Sequence, residues 1–77
     1  MKKKYIRFNY SGFIVFDSRI IHATLGDAQR QCSGASPTSA GFCERNEEGE
    51  WICYGESISL RLKARPSDSA DLNEFLK

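Results

Sequence analysis

Between Ala40 and Arg65 the chain carries the pattern of strands folded back on one another. Phe42 to Tyr54 is predicted to form a hairpin about Asn46-Glu47-Glu48-Gly49, with the glycine taking a left-handed conformation. Gly55-Glu56 is then predicted to turn the chain into a last strand, Ser57–Arg65. There Ile58, Leu60, Leu62 and Ala64 alternate with Ser59, Arg61, Lys63 and Arg65. Such a period of two fits a half-buried strand and no helix.

The same turn grammar occurs earlier. Tyr5 to Asp17 is predicted to fold about Asn9-Tyr10-Ser11-Gly12, pairing Asn9 with Phe13, Phe8 with Ile14 and Ile6 with Phe16. That register gathers Ile6, Phe8, Ile14 and Phe16 on one face and leaves Tyr5, Arg7 and Val15 on the other. Residues 1–4 precede this hairpin as a basic tag. Thr24 is a predicted N-cap with Asp27 completing a capping box, for a helix over Leu25–Cys32 whose inner stripe is Leu25, Ala28 and Cys32. Gly26 weakens that helix by roughly 1 kcal/mol relative to alanine. Residues 33–39 read as a flexible loop. Pro66 stops the last strand, and Ser67, Asp68 and Ser69 offer caps for a terminal helix carrying Leu72, Phe75 and Leu76. The expected fold is α+β: residues 1–77 as one small domain, in the order β-β-α-β-β-β-α. Its antiparallel sheet has roughly four or five strands and carries two short helices. From Leu25 onward the order α-β-β-β-α resembles that of double-stranded-RNA-binding domains. In that family a lysine cluster opens the last helix; here Pro66-Ser67-Asp68-Ser69-Ala70-Asp71 is acidic, so the resemblance does not carry RNA binding with it.

With 77 residues, the chain has little surface to bury. Eleven Lys and Arg against 10 Asp and Glu leave a net charge of +1, which disfavours a dominant polyanion-binding role. The longest apolar run, Phe13-Ile14-Val15-Phe16, is far too short to cross a bilayer, and no membrane partner is expected. Lys2-Lys3-Lys4 is not followed by the apolar segment of a signal peptide. Three cysteines make a poor disulfide framework, and a cytoplasmic protein with reduced thiols is expected.

The two turns between Ala40 and Arg65 agree on faces. Cys43, Trp51, Cys53, Ile58, Leu60 and Leu62 fall together as the better core, and Phe42, Ile52, Tyr54 and Arg61 fall on the reverse. Either a helix or the first hairpin covers that reverse face, or it is an apolar patch with a polar rim for a protein partner or a second copy. An alternative surface for weak nucleic-acid binding combines Tyr5, Arg7, Arg61, Lys63 and Arg65, cations interleaved with an aromatic ring. His22, Cys32, Cys43 and Cys53 are the soft ligands, but none are closely spaced, and no metal or cofactor is expected. His22 lies among Ile20, Ile21 and Ala23, without the grouping that a nucleophile requires, and no catalytic residues are assigned. The functional expectation is a small non-enzymatic protein-binding module, homodimeric or directed at another protein. By analogy it has the character of the phage or mobile-element accessory proteins that inhibit a host target stoichiometrically.

Overall fold

The structure is a computed structural model that describes residues 2–10 and 12–77. The chain runs β1 (Lys3–Phe8), β2 (Phe13–Asp17), α1 (His22–Ser33), β3 (Pro37–Arg45), β4 (Trp51–Tyr54), β5 (Glu56–Ser57), β6 (Leu62–Lys63) and α2 (Asp68–Phe75). Four strands form an antiparallel sheet in the order β2-β1-β3-β4, and β5 and β6 make a separate two-stranded ribbon. This is the expected α+β arrangement, with the final long strand replaced by the ribbon.

The registers place even-numbered residues of the sheet on one face and odd-numbered ones on the other. The even face packs Ile6, Phe8, Phe16 and Ala40 against Ala35 and Leu25 of the α1 region. The odd face packs Tyr5, Phe13 and Cys43 against Leu72 of α2. The sheet is therefore covered by a helix on each side, and both faces contribute to the core.

In the β3–β4 hairpin the pairing is as the sequence predicts, with Cys43 opposite Cys53 and Arg45 opposite Trp51. Asn46 Oδ1 accepts the N–H groups of Glu48 and Glu50 at 2.9 and 3.0 Å, and Gly49 sits at φ 82°. The first hairpin differs. Ile6 pairs with Ile14 and Lys4 with Phe16, two residues away from the expected register. The closing bond runs from Phe8 N–H to Gly12 O at 2.9 Å, and Ser11 of the expected turn lies outside the described residues. Asn9 is occupied elsewhere: its N–H bonds Ser36 O at 2.9 Å and its Oδ1 accepts Ser36 N–H at 3.2 Å. A two-residue shift preserves side-chain parity, so Ile6, Phe8, Ile14 and Phe16 still share one face.

Other boundaries move too. Lys3 and Lys4 belong to β1 and not to a detached basic tag, and the loop after α1 is confined to Gly34–Ser36 because β3 starts at Pro37. Helix α1 begins at His22, ahead of the predicted Thr24 cap, and ends on Gly34 at φ 73°. Its buried residues are His22 and Gly26, whereas Ala28 and Cys32 are exposed. Gly26 permits the close approach: a β-carbon there would lie 3.2 Å from Leu60 Cδ2. In α2, Leu72 is buried while Phe75, and Leu76 just after the helix, remain half exposed.

The expected strand Ser57–Arg65 is interrupted by a tight turn. Ser57 Oγ accepts Leu60 N–H at 3.2 Å, Ile58 O accepts Arg61 N–H at 3.2 Å, and Arg61 takes φ 58°. The ribbon packs along β3, which β4 pairs only over Phe42–Arg45. Leu60 and Leu62 consequently join the even-face core, opposite Cys43, Trp51 and Cys53, and Ile58 leaves the core altogether. Gly55, at φ 76°, crosses over Gly41 where the chain leaves β4. The expected order α-β-β-β-α thus does not persist as three strands of one sheet.

Helix α2 is tied down by polar groups. The buried Asp68 carboxylate accepts bonds from Tyr5 OH, Arg7 Nη1 (3.1 Å) and Arg65 N–H (3.0 Å), and Arg7 also meets Asp71 at 2.7 Å. Along β4, Trp51 N–H donates to Asn73 Oδ1 at 2.8 Å while Asn73 Nδ2 donates to Trp51 O at 2.9 Å, so one amide side chain imitates a neighbouring strand. Cys53 N–H donates to Ser69 Oγ at 2.8 Å. These bonds seal the outer edge of β4.

Two outcomes follow from this packing. A β-carbon on Gly41 would lie 2.5 Å from Tyr54 O, a backbone atom that cannot rotate away. Gly41→Ala is therefore expected to lower stability by about 1–3 kcal/mol in urea denaturation. Burial pushes the Asp68 carboxyl up, but Tyr5, Arg65 N–H and Arg7 together hold it below the usual range. The stability this provides is complete above the ordinary Asp pKa of about 3.9 and is lost as pH falls through the lower folded value. Asp68→Asn should cost about 1–3 kcal/mol at neutral pH. Urea midpoints of wild type and variant should converge on acidification below that value.

Candidate functional site

A cleft of about 510 Å³ opens on the even face, beyond the end of the core. Its floor is Phe42 of β3 and Tyr54 of β4, which are directly opposed across the hairpin with ring centroids 6.1 Å apart. His22 stands edge-on to Phe42 at 6.0 Å and to Phe16 at 5.6 Å, so it joins the floor to the core. Its Nε2 lies 2.8 Å from Gly41 O. A carbonyl only accepts, so Nε2 carries the proton. Burial lowers the His22 pKa from its ordinary value, against the opposing effect of this bond, and Lys4 lowers it further. The imidazole is therefore neutral at pH 7.

Two isoleucines join this lining. Ile21 precedes α1 in extended conformation and is 59% exposed; Ile58 lies on the ribbon turn and is 86% exposed. A hydrogen bond distant in sequence ties their two segments together. Ile21 has no capping side chain, and Ser59 Oγ accepts Ala23 N–H in the first turn of α1 at 3.2 Å. Ser59 thus caps a helix 36 residues away while its neighbour Ile58 projects outward. Basic groups edge the cleft: Lys2 Nζ is 4.2 Å from the Phe42 ring centroid, and Lys4 Nζ donates to Ile20 O at 2.8 Å. Glu56 stands on another part of the rim.

Of the patch expected from sequence, Phe42 and Tyr54 are brought together here. Ile52, 42% exposed, shares their face one step along β4. Arg61 lies on the ribbon turn and does not line the cleft. Helix α2 covers the odd face and the α1 region the inner part of the even face, so neither helix hides this end of the sheet. Ile21, His22 and Ile58 were not legible as site residues. Ile58 falls in step with Leu60 and Leu62, and only the turn at Arg61 separates them.

The expected nucleic-acid surface is not assembled on one open face. Tyr5 is fully buried under α2, with its hydroxyl on Asp68, and Arg7 is engaged by Asp68 and Asp71. Arg61, Lys63 and Arg65 are exposed on and after the ribbon, a separate element. The soft ligands are likewise dispersed: Cys43 and Cys53 face α2, His22 lies on the opposite face, and Cys32 is exposed on α1. Among the described residues no group of three His, Cys, Asp or Glu converges. Burial raises the thiol pKa of Cys43 to about 11, and burial with Cys43 and Asp68 nearby raises that of Cys53 to about 12. Both are neutral thiols at physiological pH and weak nucleophiles.

No protein-family model, curated protein or solved structure matches the chain. No described helix is long and apolar enough to cross a membrane. Ser59→Ala should cost about 0.5–2 kcal/mol, the range for a lost N-cap. Hydrogen exchange should accelerate in the first turn of α1 ahead of the β1–β3 core.

Proposed function

We propose that the protein is a non-enzymatic binding module, working in the cytoplasm, that recognises a partner protein through the cleft between Ile21 and Ile58. The observation that carries this reading is the pair of exposed isoleucines that line one cleft together with the opposed rings of Phe42 and Tyr54. Ile58 adds nothing to the core from its position, and its turn is nonetheless held by Ser57 and Ser59 hydrogen bonds. Small apolar clefts with charged rims are the usual seats of anchoring side chains at protein interfaces. The partner chemistry that suits the site is an apolar side chain entering between the isoleucines, beside an acidic group that meets Lys2. The neutral Cys43 and Cys53 thiols and the backbone-bonded His22 support binding over catalysis. A stoichiometric inhibitor of the accessory-protein kind fits this description.

Ile58→Glu changes an exposed side chain and should leave the unfolding free energy within about 0.5 kcal/mol of wild type, whereas Tyr54→Arg also loses ring contact with Phe42 and should cost about 1 kcal/mol while leaving the chain folded. Affinity capture from the native host, with each variant run beside wild type, tests the proposal. Proteins retained by wild type and lost with both variants are the expected result. Identical capture profiles would remove the cleft from the binding surface.

A further inference from the structure

The two outer edges of the sheet are treated differently, and the open one is shaped to meet itself. On β2, Phe8 N–H bonds Gly12 O, and the same alternation directs Ile14 and Phe16 toward β1. The backbone groups of Phe13 and Val15 therefore point away from the sheet. Among the described residues, no donor or acceptor meets them. The strand is Phe-Ile-Val-Phe-Asp, with no proline, lysine or bulge to blunt it. Natural sheets seldom leave such an edge unprotected, and here the opposite edge is closed by Asn73 and Ser69. The strand ends where Asp17 folds back, its Oδ1 accepting Arg19 N–H at 2.8 Å and its carbonyl accepting Ile20 N–H at 3.1 Å.

Charge is distributed along this edge with opposite signs at its ends. Beside Asp17 lie Lys2, Lys3 and Arg19, around a cleft of about 230 Å³. Beside Phe13 lie Asp71, Glu74 and the half-exposed Phe75, around a cleft of about 320 Å³. Arg7 pairs with Asp68 and Asp71, Lys77 pairs with Glu74, and Arg19 pairs with Asp17; an excess of positive charge remains at one end and of negative charge at the other. A two-fold axis at Val15 would lay the basic end of one strand against the acidic end of the other.

We infer that β2 pairs antiparallel with β2 of a second copy of this chain, making one continuous sheet across a symmetric dimer. The axis passes by Val15, so Val15 exchanges backbone bonds with Val15 of the second copy, and Asp17 N–H donates to Phe13 O across the seam. Residues facing each other across an antiparallel pair project to the same side. Lys3, on the odd face, therefore lies on the side of the sheet that carries α2 and Glu74 of the second copy. An unrelated extended peptide would satisfy the backbone groups but has no reason to match this reversal of charge. The binding cleft lies at the β3–β4 end of the sheet, so the dimer leaves two copies of it open.

Sedimentation equilibrium across the micromolar range tests this. The expected species has twice the 8.7 kDa chain mass and dissociates on dilution. Val15→Pro removes an outward N–H from an edge strand and should abolish the dimer. Circular dichroism and the unfolding transition would show whether the monomer remains folded. Arg19 and Glu74 are 89% and 76% exposed at their side chains, so their reversal does not threaten folding. Arg19→Glu or Glu74→Lys alone should raise the dissociation constant by about tenfold, and the double variant should recover most of it. Ile58→Glu should not change it. A monomer at every concentration, or a dimer indifferent to Val15→Pro and to both reversals, overturns the inference. The latter result would assign self-association to another surface or leave the edge to a foreign strand.

Discussion

A buried carboxylate organises one side of this molecule. Asp68 lies under the start of α2 and takes bonds from Tyr5 and Arg7 of β1, at the far end of the chain, and from the Arg65 N–H just ahead of the helix. A charge removed from water without such partners would be untenable; with them it fixes where α2 sits. Leu72 then descends onto Tyr5, Phe13 and Cys43, and Asn73 and Ser69 are brought to the edge of β4. One electrostatic constraint thus closes a face and an edge together.

On the other face the decisive element is the ribbon. It supplies Leu60 and Leu62 to the core and Ser59 to the N-terminus of α1, which has no cap of its own. Ser59 and Leu60 belong to a turn tight enough that Ile58 does not follow Leu60 and Leu62 inward. The cleft forms where the chain uses this turn to fasten a helix, leaving Ile21 and Ile58 beside Phe42 and Tyr54 in its lining. Such fastening limits the conformational freedom that a partner would otherwise have to restrict on binding.

Both hairpins were visible in the residues, and for the first the shared face was right although the register was not. The parity of Ile6, Phe8, Ile14 and Phe16 survives a two-residue slip, because strand side chains repeat every two residues. Asn9 explains the slip: its side chain bonds the distant Ser36 backbone, a partner invisible to local turn chemistry. The same limitation hid the role of Gly26, which reads as a flaw in an isolated helix and is a point of close contact with Leu60 in the folded chain.

What is local and periodic can be read from the residues alone: strands with a two-residue repeat, an Asn-to-Gly hairpin with its Cys43–Cys53 register, two short helices, and Phe42 and Tyr54 turned away from Cys43 and Cys53. What covers each face was set by long-range packing. Tyr5 and Arg7, which alternate like a solvent-facing pair, are captured by Asp68 and Asp71 from the far end of the chain. Ile58, which alternates like a core residue, is expelled by the left-handed Arg61 turn. The physical reason is common to both. Periodicity reports which side of the backbone a residue takes, whereas burial depends on which distant segment arrives on that side.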